Sequence, residues 1–518
     1  MQEAVPRRLV LTGAFGAGVA ALLAKLPDPA TVTPASPGPV PRPAPVAPVR
    51  ATPTAPTQEA SPRDEPVPDD RTFDLVIAGG RVIDPDTGFD GSADVGVTGG
   101  RIEAVGPGPL RGRRTIDAAG RVVAPGFIDL LSYDPNDYGV WYKVADGVTS
   151  NLGMHGVNSL PEQWFATFAE ERPPVHYGGA FDHAWSRARL GLDPYGAASA
   201  QQIDRLRGLA TEGLDGGWAG VHLELEYTPG VEPAEAVAMA EVAAAAGVGV
   251  YVHGRYSDAT PPGTNADTLA EILGLARATG APVHVEHLPS TGGTFTMEES
   301  LATLAAARAE GIDVTACMYP YDFWATYLGS ARFADGWQER FRISYEDLVV
   351  AGSGERLTAG TFNRARAANL LVAALAIPED DVRAGLRSDM VLIGSDAILE
   401  PGDNNHPRAA GCFSRVLGRY VRDEAVLSLP SALAKMTILP ARRLEAALPA
   451  MARKGRLQVG CDADITVFDP ATVGDRATLE DPSQESVGVE WVLVGGEVVK
   501  TPDGVQRDVR PGQPLARG

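Results

Sequence analysis

Cysteine is scarce: the 518 residues hold three, Cys317, Cys412 and Cys461, with no Cys-x-x-Cys spacing. So few, and an odd number, exclude a disulfide scaffold. Positive charge is also short, 45 Lys and Arg against 66 Asp and Glu for a net −21. That field repels a phosphate backbone, so nucleic acid is excluded as a partner. Long hydrophobic runs are missing as well. The uncharged stretch Leu9 to Ala24 is rich in Gly and Ala and too short to cross a bilayer, so no stable membrane span is expected. Apolar residues nevertheless make up 44% of the chain, enough for a large buried core.

What is present starts with Arg7-Arg8, the apolar run to Ala24 and Lys25, the charged-then-apolar order of an export signal. Residues 1–26 therefore predict a twin-arginine signal, with the twin-arginine machinery as partner and a periplasmic or extracellular destination. Residues 27–71 are dominated by Pro, Ala and Thr without hydrophobic period and read as a linker.

From Phe73 onward short β-rich runs hinge on a Gly-Gly turn and are bounded by Gly, Pro or Asp, and similar runs return at Ala463–Phe468 and Val489–Val499. Segments 72–124 and 451–510 are expected to form one small composite β-sandwich, with 511–518 as a tail. Between them, over 125–450, amphipathic helix, Gly and buried strand alternate. Glu232–Ala246, Asn265–Thr279 and Met297–Glu310 read as helices, each followed by Gly and a buried strand. Apolar strands separated by single helices pair in parallel with right-handed crossovers, which predicts an α/β fold, a distorted (β/α)8 TIM-type barrel.

Reacting groups in such a barrel gather at the C-terminal strand ends. Two of those ends are His253 and His287, one βα unit apart, and two imidazoles at equivalent ends point to metal ligation. The strand Met390–Ser395 delivers Asp396 to the same mouth, where a carboxylate can take a proton from attacking water. On Val221–Tyr227, alternation puts His222, Glu224 and Glu226 on one face. Glu224 and Glu226 are candidates for a ligand or a second acid/base group, or else for a buried polar network.

Pro125-Gly126-Phe127-Ile128-Asp129, the strand-end His253 and His287, Gly394-Ser395-Asp396, His406-Pro407-Arg408 and Asp462-Ala463-Asp464 resemble the amidohydrolase superfamily. Within it the chain is most similar to the D-aminoacylases, the N-acyl-D-amino-acid deacylases. The resemblance spans about Phe73 to Arg510 and implies the composite β-sandwich, the barrel and hydrolysis of a C–N amide bond.

The resemblance breaks at the first strand, where the family's His-x-His pair for the more exposed metal is replaced by Leu131 and Tyr133. The family's metal-binding Cys after the second strand is replaced by His155. His155, His253 and His287 then give three nitrogen ligands for one zinc, with Asp396 as base and the place of a second metal open. Arg408 resembles the family arginine for the substrate carboxylate, with a loop salt bridge as the alternative. Tyr227 is a candidate substrate contact, with core packing as the alternative. A small molecule is the expected substrate. The missing pair keeps two further readings open: a metal-dependent lyase, isomerase or cyclase on the same barrel, and a non-catalytic binding protein.

Overall fold

A computed structural model describes residues 71–261, 263–401 and 406–518; the expected export signal and nearly all of the linker lie outside these. Eight short strands form the barrel: β1 (Phe127–Asp129), β2 (Val148–Val157), β3 (His176–Asp182), β4 (Gly220–Glu224), β5 (Gly249–His253), β6 (Val283–Val285), β7 (Val314–Met318) and β8 (Val391–Ile393). Neighbours pair in sequence order, and every pair is parallel. The strands β3 and β6 are buried at every position, as covering both faces of a parallel sheet demands.

The ring closes just past β1 and β8. Asp396 N donates to Leu131 O at 2.7 Å, and Ser395 N donates to the Asp129 carboxylate at 3.0 Å. Beneath this junction Lys143 Nζ, 1% exposed, reaches Asp129 Oδ2 at 2.8 Å and Ser395 Oγ at 2.5 Å.

The expected crossover helices are present as Pro233–Ala246, Asn265–Thr279 and Met297–Ala309. Thr264 and Asp267 form a capping box at the start of the second, and Gly280 ends it at φ 73°. The strands are shorter than their apolar runs suggest, so His287 and Asp396 fall just beyond strand ends, both at positive φ (28° and 52°). Between β7 and β8 the chain inserts a small antiparallel sheet, Trp324–Tyr327, Leu348–Val350 and Leu371–Ala374, which the sequence reading did not separate from the barrel.

The two ends of the folded region share one nine-stranded sheet. Ile465–Phe468 pairs antiparallel with Val122–Pro125, joining the C-terminal strands to the N-terminal ones. The expected sandwich is thus one sheet whose inward residues, Ile77, Val95, Val123, Ile465 and Leu493 among them, enclose a separate apolar cluster. Residues 511–518 are more than a tail. Leu515 is buried, its N–H donates to Tyr177 O at 2.7 Å, and Tyr177 N donates to Gln513 O at 3.2 Å. Among the described residues no helix is long and apolar enough to cross a membrane.

Candidate metal centre

At the C-terminal ends of β2, β5 and β6 the side chains of His155, His253, Glu286 and His287 converge. One donor atom from each lies within 4.8 Å of all the others, and all four residues are buried. His155 is carried by β2, and Gly156 beside it takes φ 86° where a Cβ would stand 2.7 Å from His222 Nδ1. Glycine there lets β2 pass the His222 ring.

Each imidazole has one nitrogen engaged by a neighbour. His155 Nδ1 lies 2.6 Å from Glu286 Oε2, His253 Nε2 lies 2.9 Å from Glu226 Oε2, and His287 Nδ1 lies 3.1 Å from Thr291 Oγ1. The other nitrogen of each ring makes no hydrogen bond among the described residues, His155 Nε2 lying 3.7 Å from Glu224 and His253 Nδ1 being buried without a partner. A carboxylate or hydroxyl on one ring nitrogen, fixing tautomer and orientation, is how metal-ligating histidines are held. An orphaned buried nitrogen of this kind, beside two further imidazoles, fits a zinc ion, whose usual ligands include imidazole nitrogens.

Electrostatics follow from this packing. Burial alone would lower the His155 imidazole, but the Glu286 carboxylate outweighs it and raises the group to about 10. Burial lowers His287 to about 3, which favours the neutral, ligating form. Glu286 is driven well below the carboxylate range because, against its burial, His155 and His222 attract its charge. His222 stands beneath the centre, 1% exposed, with Nε2 3.4 Å from Glu286 Oε2.

The two carboxylates singled out in the sequence take other places. Glu226 lies in the turn after β4 and accepts from Arg332 Nε at 2.9 Å as well as meeting His253. Burial pushes its carboxyl upward, Arg332 and His253 outweigh that, and it settles at about 2. Glu224 ends β4 with its Oε1 3.7 Å from His155 Nε2, outside the four-residue group. The carboxylate within the group is Glu286, which the sequence reading passed over. Arg332, from the insert between β7 and β8, was also missed; its guanidinium stacks over Trp324 at 4.5 Å and donates to Ser257 and Ser290.

Asp396 sits at the mouth as expected. Arg408 Nη2 lies 2.9 Å from its Oδ2, and the Tyr133 hydroxyl donates to its Oδ1 at 3.3 Å. Burial pushes the Asp396 carboxyl up, but Arg408, His287 and His155 outweigh it and hold it below the usual range. Arg408 stacks over Tyr319 at 4.1 Å, and its Nε and Nη1 are buried without partners among the described residues. Tyr227 packs against the His253 ring at 4.9 Å and its hydroxyl meets Thr326 Oγ1 at 3.1 Å.

Several polar residues lie apart from the centre. His284 bonds Thr315 at 2.7 Å, and burial lowers it to about 3. His176 meets Asp464 and His183 meets Glu235, so neither joins the metal group. His406 stacks on Phe323 and bonds its carbonyl. The Cys317 thiol is buried and pushed well up by burial, which removes it as a nucleophile.

Comparison with known proteins agrees with this architecture. The model of the amidohydrolase family matches residues 364–500. An N-acyl-D-glutamate deacylase of Alcaligenes xylosoxydans xylosoxydans is 35% identical over 82% of this chain and 93% of its own. A D-aminoacylase of the same organism is 30% identical over 83% of this chain and 95% of its own. The crystal structure of N-acyl-D-glutamate deacylase from Bordetella bronchiseptica, complexed with zinc and a phosphonate inhibitor that mimics the tetrahedral intermediate, superposes with a TM-score of 0.75. It is 30% identical and covers 86% of this chain and 100% of its own. With this barrel, this cluster of histidines and these relatives, the chain belongs to the amidohydrolase superfamily, among the N-acyl-D-amino-acid deacylases, hydrolases of C–N bonds other than peptide bonds.

Proposed function

We propose that the protein is an exported, zinc-dependent hydrolase of N-acyl-D-amino acids that works with one metal per chain, held by His155, His253 and His287. The observation that carries the single-metal reading is the surroundings of Asp396. Leu131 offers no donor atom, Tyr133 directs its hydroxyl to Asp396, and Arg408 brings a positive charge to the same carboxylate. A guanidinium 2.9 Å from Asp396 Oδ2 already balances the charge that a second cation would balance. Export rests on the Arg7-Arg8 signal alone.

A zinc ion at this centre supplies Lewis-acid polarisation of a carbonyl and lowers the pKa of water. The protein's own groups do the rest. Arg408 has two nitrogens, Nε and Nη1, without partners among the described residues to receive the substrate α-carboxylate. Asp396, kept ionised by Arg408, retains free lone pairs to take a proton from the attacking water and return it to the leaving amine as the C–N bond breaks. Tyr227, packed against the His253 ring with its hydroxyl on Thr326, is the further substrate contact in this reading.

The first measurement is metal per chain by mass spectrometry, on wild type and His253→Ala, beside turnover of N-acetyl-D-amino acids in ¹⁸O water. One zinc, lost in the variant, with ¹⁸O in the released acetate, is the expected result. Two zinc ions would overturn the single-metal reading, and product free of ¹⁸O would overturn hydrolysis. Asp396→Asn is expected to keep its zinc while kcat falls by about 10²- to 10⁴-fold, the range for loss of a general acid–base group.

A further inference from the structure

One arginine from outside the barrel strands reaches the loops behind two of the clustered histidines. Arg332 stands on the turn Ala331–Phe333 of the insert between β7 and β8, and its side chain is 2% exposed. Its Nε donates to Glu226 Oε2 at 2.9 Å, in the turn after β4. Its Nη2 donates to Ser257 Oγ at 2.9 Å, in the loop that follows His253, and to the Ser290 carbonyl at 2.7 Å, in the loop that follows His287. Nη1 donates to Ser290 Oγ at 3.2 Å. Trp324 and Phe341, both from the insert, pack on the guanidinium at 4.5 and 5.7 Å. With each nitrogen engaged by the protein, this cation is turned toward the loops and not toward a substrate.

A second contact from the insert arrives beside the first. Thr326, on the insert strand Trp324–Tyr327, places its Oγ1 3.1 Å from the hydroxyl of Tyr227, whose ring packs on His253 at 4.9 Å. His253 is thus backed by Glu226 at Nε2 and by Tyr227 along its ring, and the insert holds both. A glutamate side chain left to itself turns about three torsions, and an imidazole bonded to it would follow. A guanidinium on the same carboxylate oxygen removes that freedom by a charge-assisted bond of fixed direction.

We infer that Arg332 is a positioning residue for the metal: through Glu226 it fixes the ring of His253, so that zinc affinity depends on the insert as well as on the barrel. This rests on the reading of His253 as a zinc ligand. A carboxylate behind a ligating imidazole sets its tautomer and direction and raises its basicity. Arg332 does for the Glu226 carboxylate what that carboxylate does for the ring. Arg340, also from the insert, lies 3.5 Å from Asp258 and ties the same loop after β5 a second time.

The test is a double-mutant cycle in zinc affinity, read by chelator competition on the full chain for wild type, Glu226→Gln, Arg332→Met and the double variant, with melting temperature reporting folding. Arg332→Met is expected to weaken zinc binding about 10- to 100-fold. The double variant should match the weaker-binding single one within about threefold, because both changes cut the same chain of contacts. With cobalt in place of zinc, the visible absorption of Arg332→Met should differ from that of wild type, a change of ligand geometry that a role in stability alone would not produce. Should Arg332→Met not fold, Arg332→Gln, which keeps an N–H donor in the pocket, enters the same cycle. Zinc held as tightly as in wild type, or losses that multiply in the double variant, would overturn the inference and leave the zinc centre standing. A raised KM for N-acetyl-D-amino acids at unchanged zinc affinity would overturn it too, by making Arg332 a substrate contact. Wild type that binds no zinc would overturn the metal reading and this inference with it.

Discussion

At the scale of single residues, the centre depends on what lies behind the imidazoles. His155 points its Nδ1 at Glu286, a fully buried carboxylate that also lies 3.4 Å from His222 Nε2. Glu286→Gln keeps the shape but removes the charge that orients the ring. Loss of such a partner typically costs 10- to 100-fold in metal affinity, so chelator competition should show zinc released about that much more readily while the thermal transition is retained. A zinc affinity equal to wild type would mean that Glu286 is itself only a packed acid. The sequence made His253, His287 and Asp396 visible because each follows a Val- or Ile-rich run by a predictable interval. Glu286 was hidden by the same rule. Strict alternation groups it with His284, which lies away from the centre against Thr315, and only the turn at His287, φ 28°, brings 286 and 287 into the same four-residue group. Arg332 gave no local signal at all, since its partner Glu226 is 106 positions away.

At the scale of elements, the strands do less than their apolar runs advertise, and the loops beyond them hold the chemistry. The helices at 233–246 and 265–279 were legible almost to the residue because Pro, capping Thr and terminal Gly mark their ends. The insert between β7 and β8 was not, because its three strands are three or four residues long and share the composition of their surroundings. Barrel closure was equally invisible. It relies on Lys143 and Asp129, 1% and 0% exposed, with Ser395 completing the bond set one residue before Asp396. Removing one member of a buried pair leaves an uncompensated charge, at a cost of about 3–5 kcal/mol. Lys143→Met should therefore lower unfolding free energy by that amount in urea titration, and kcat should fall with it because the Asp396 backbone is anchored there. A loss under about 1 kcal/mol would show that Asp129 is satisfied without the lysine.

At the scale of the whole molecule, the fold is stitched from distant parts of the chain, and one acid sits on the seam. Asp464 precedes the strand that joins both ends of the sheet; its carboxylate meets His176 at the start of β3 at 3.1 Å and Lys454 at 2.7 Å, and accepts from Gly495 N at 2.7 Å. Composite pairing was readable from the recurrence of β-rich runs at both ends, but a seam of this kind appears only when 176, 454 and 464 are brought together in space. Burial pushes the Asp464 carboxyl up, yet Lys454 and His176 outweigh it and hold it far below the ordinary carboxylate range. The folded state therefore releases this proton more readily than the unfolded chain. Its contribution is fully present above the unfolded value near pH ~4 and is lost as the pH falls from there toward the depressed folded value. Across that window the group alone steepens the fall of unfolding free energy by up to about 1.4 kcal/mol per pH unit. Asp464→Asn should cost about 1–3 kcal/mol at neutral pH, since Lys454 loses this carboxylate but keeps Asp462 at 3.0 Å, and should flatten the acid limb. Urea titrations of wild type and variant from pH 7 to pH 3 read both effects together. Parallel curves, with the same fall below pH 4 in each, would place the acid sensitivity on other carboxylates and leave the seam to its backbone bonds.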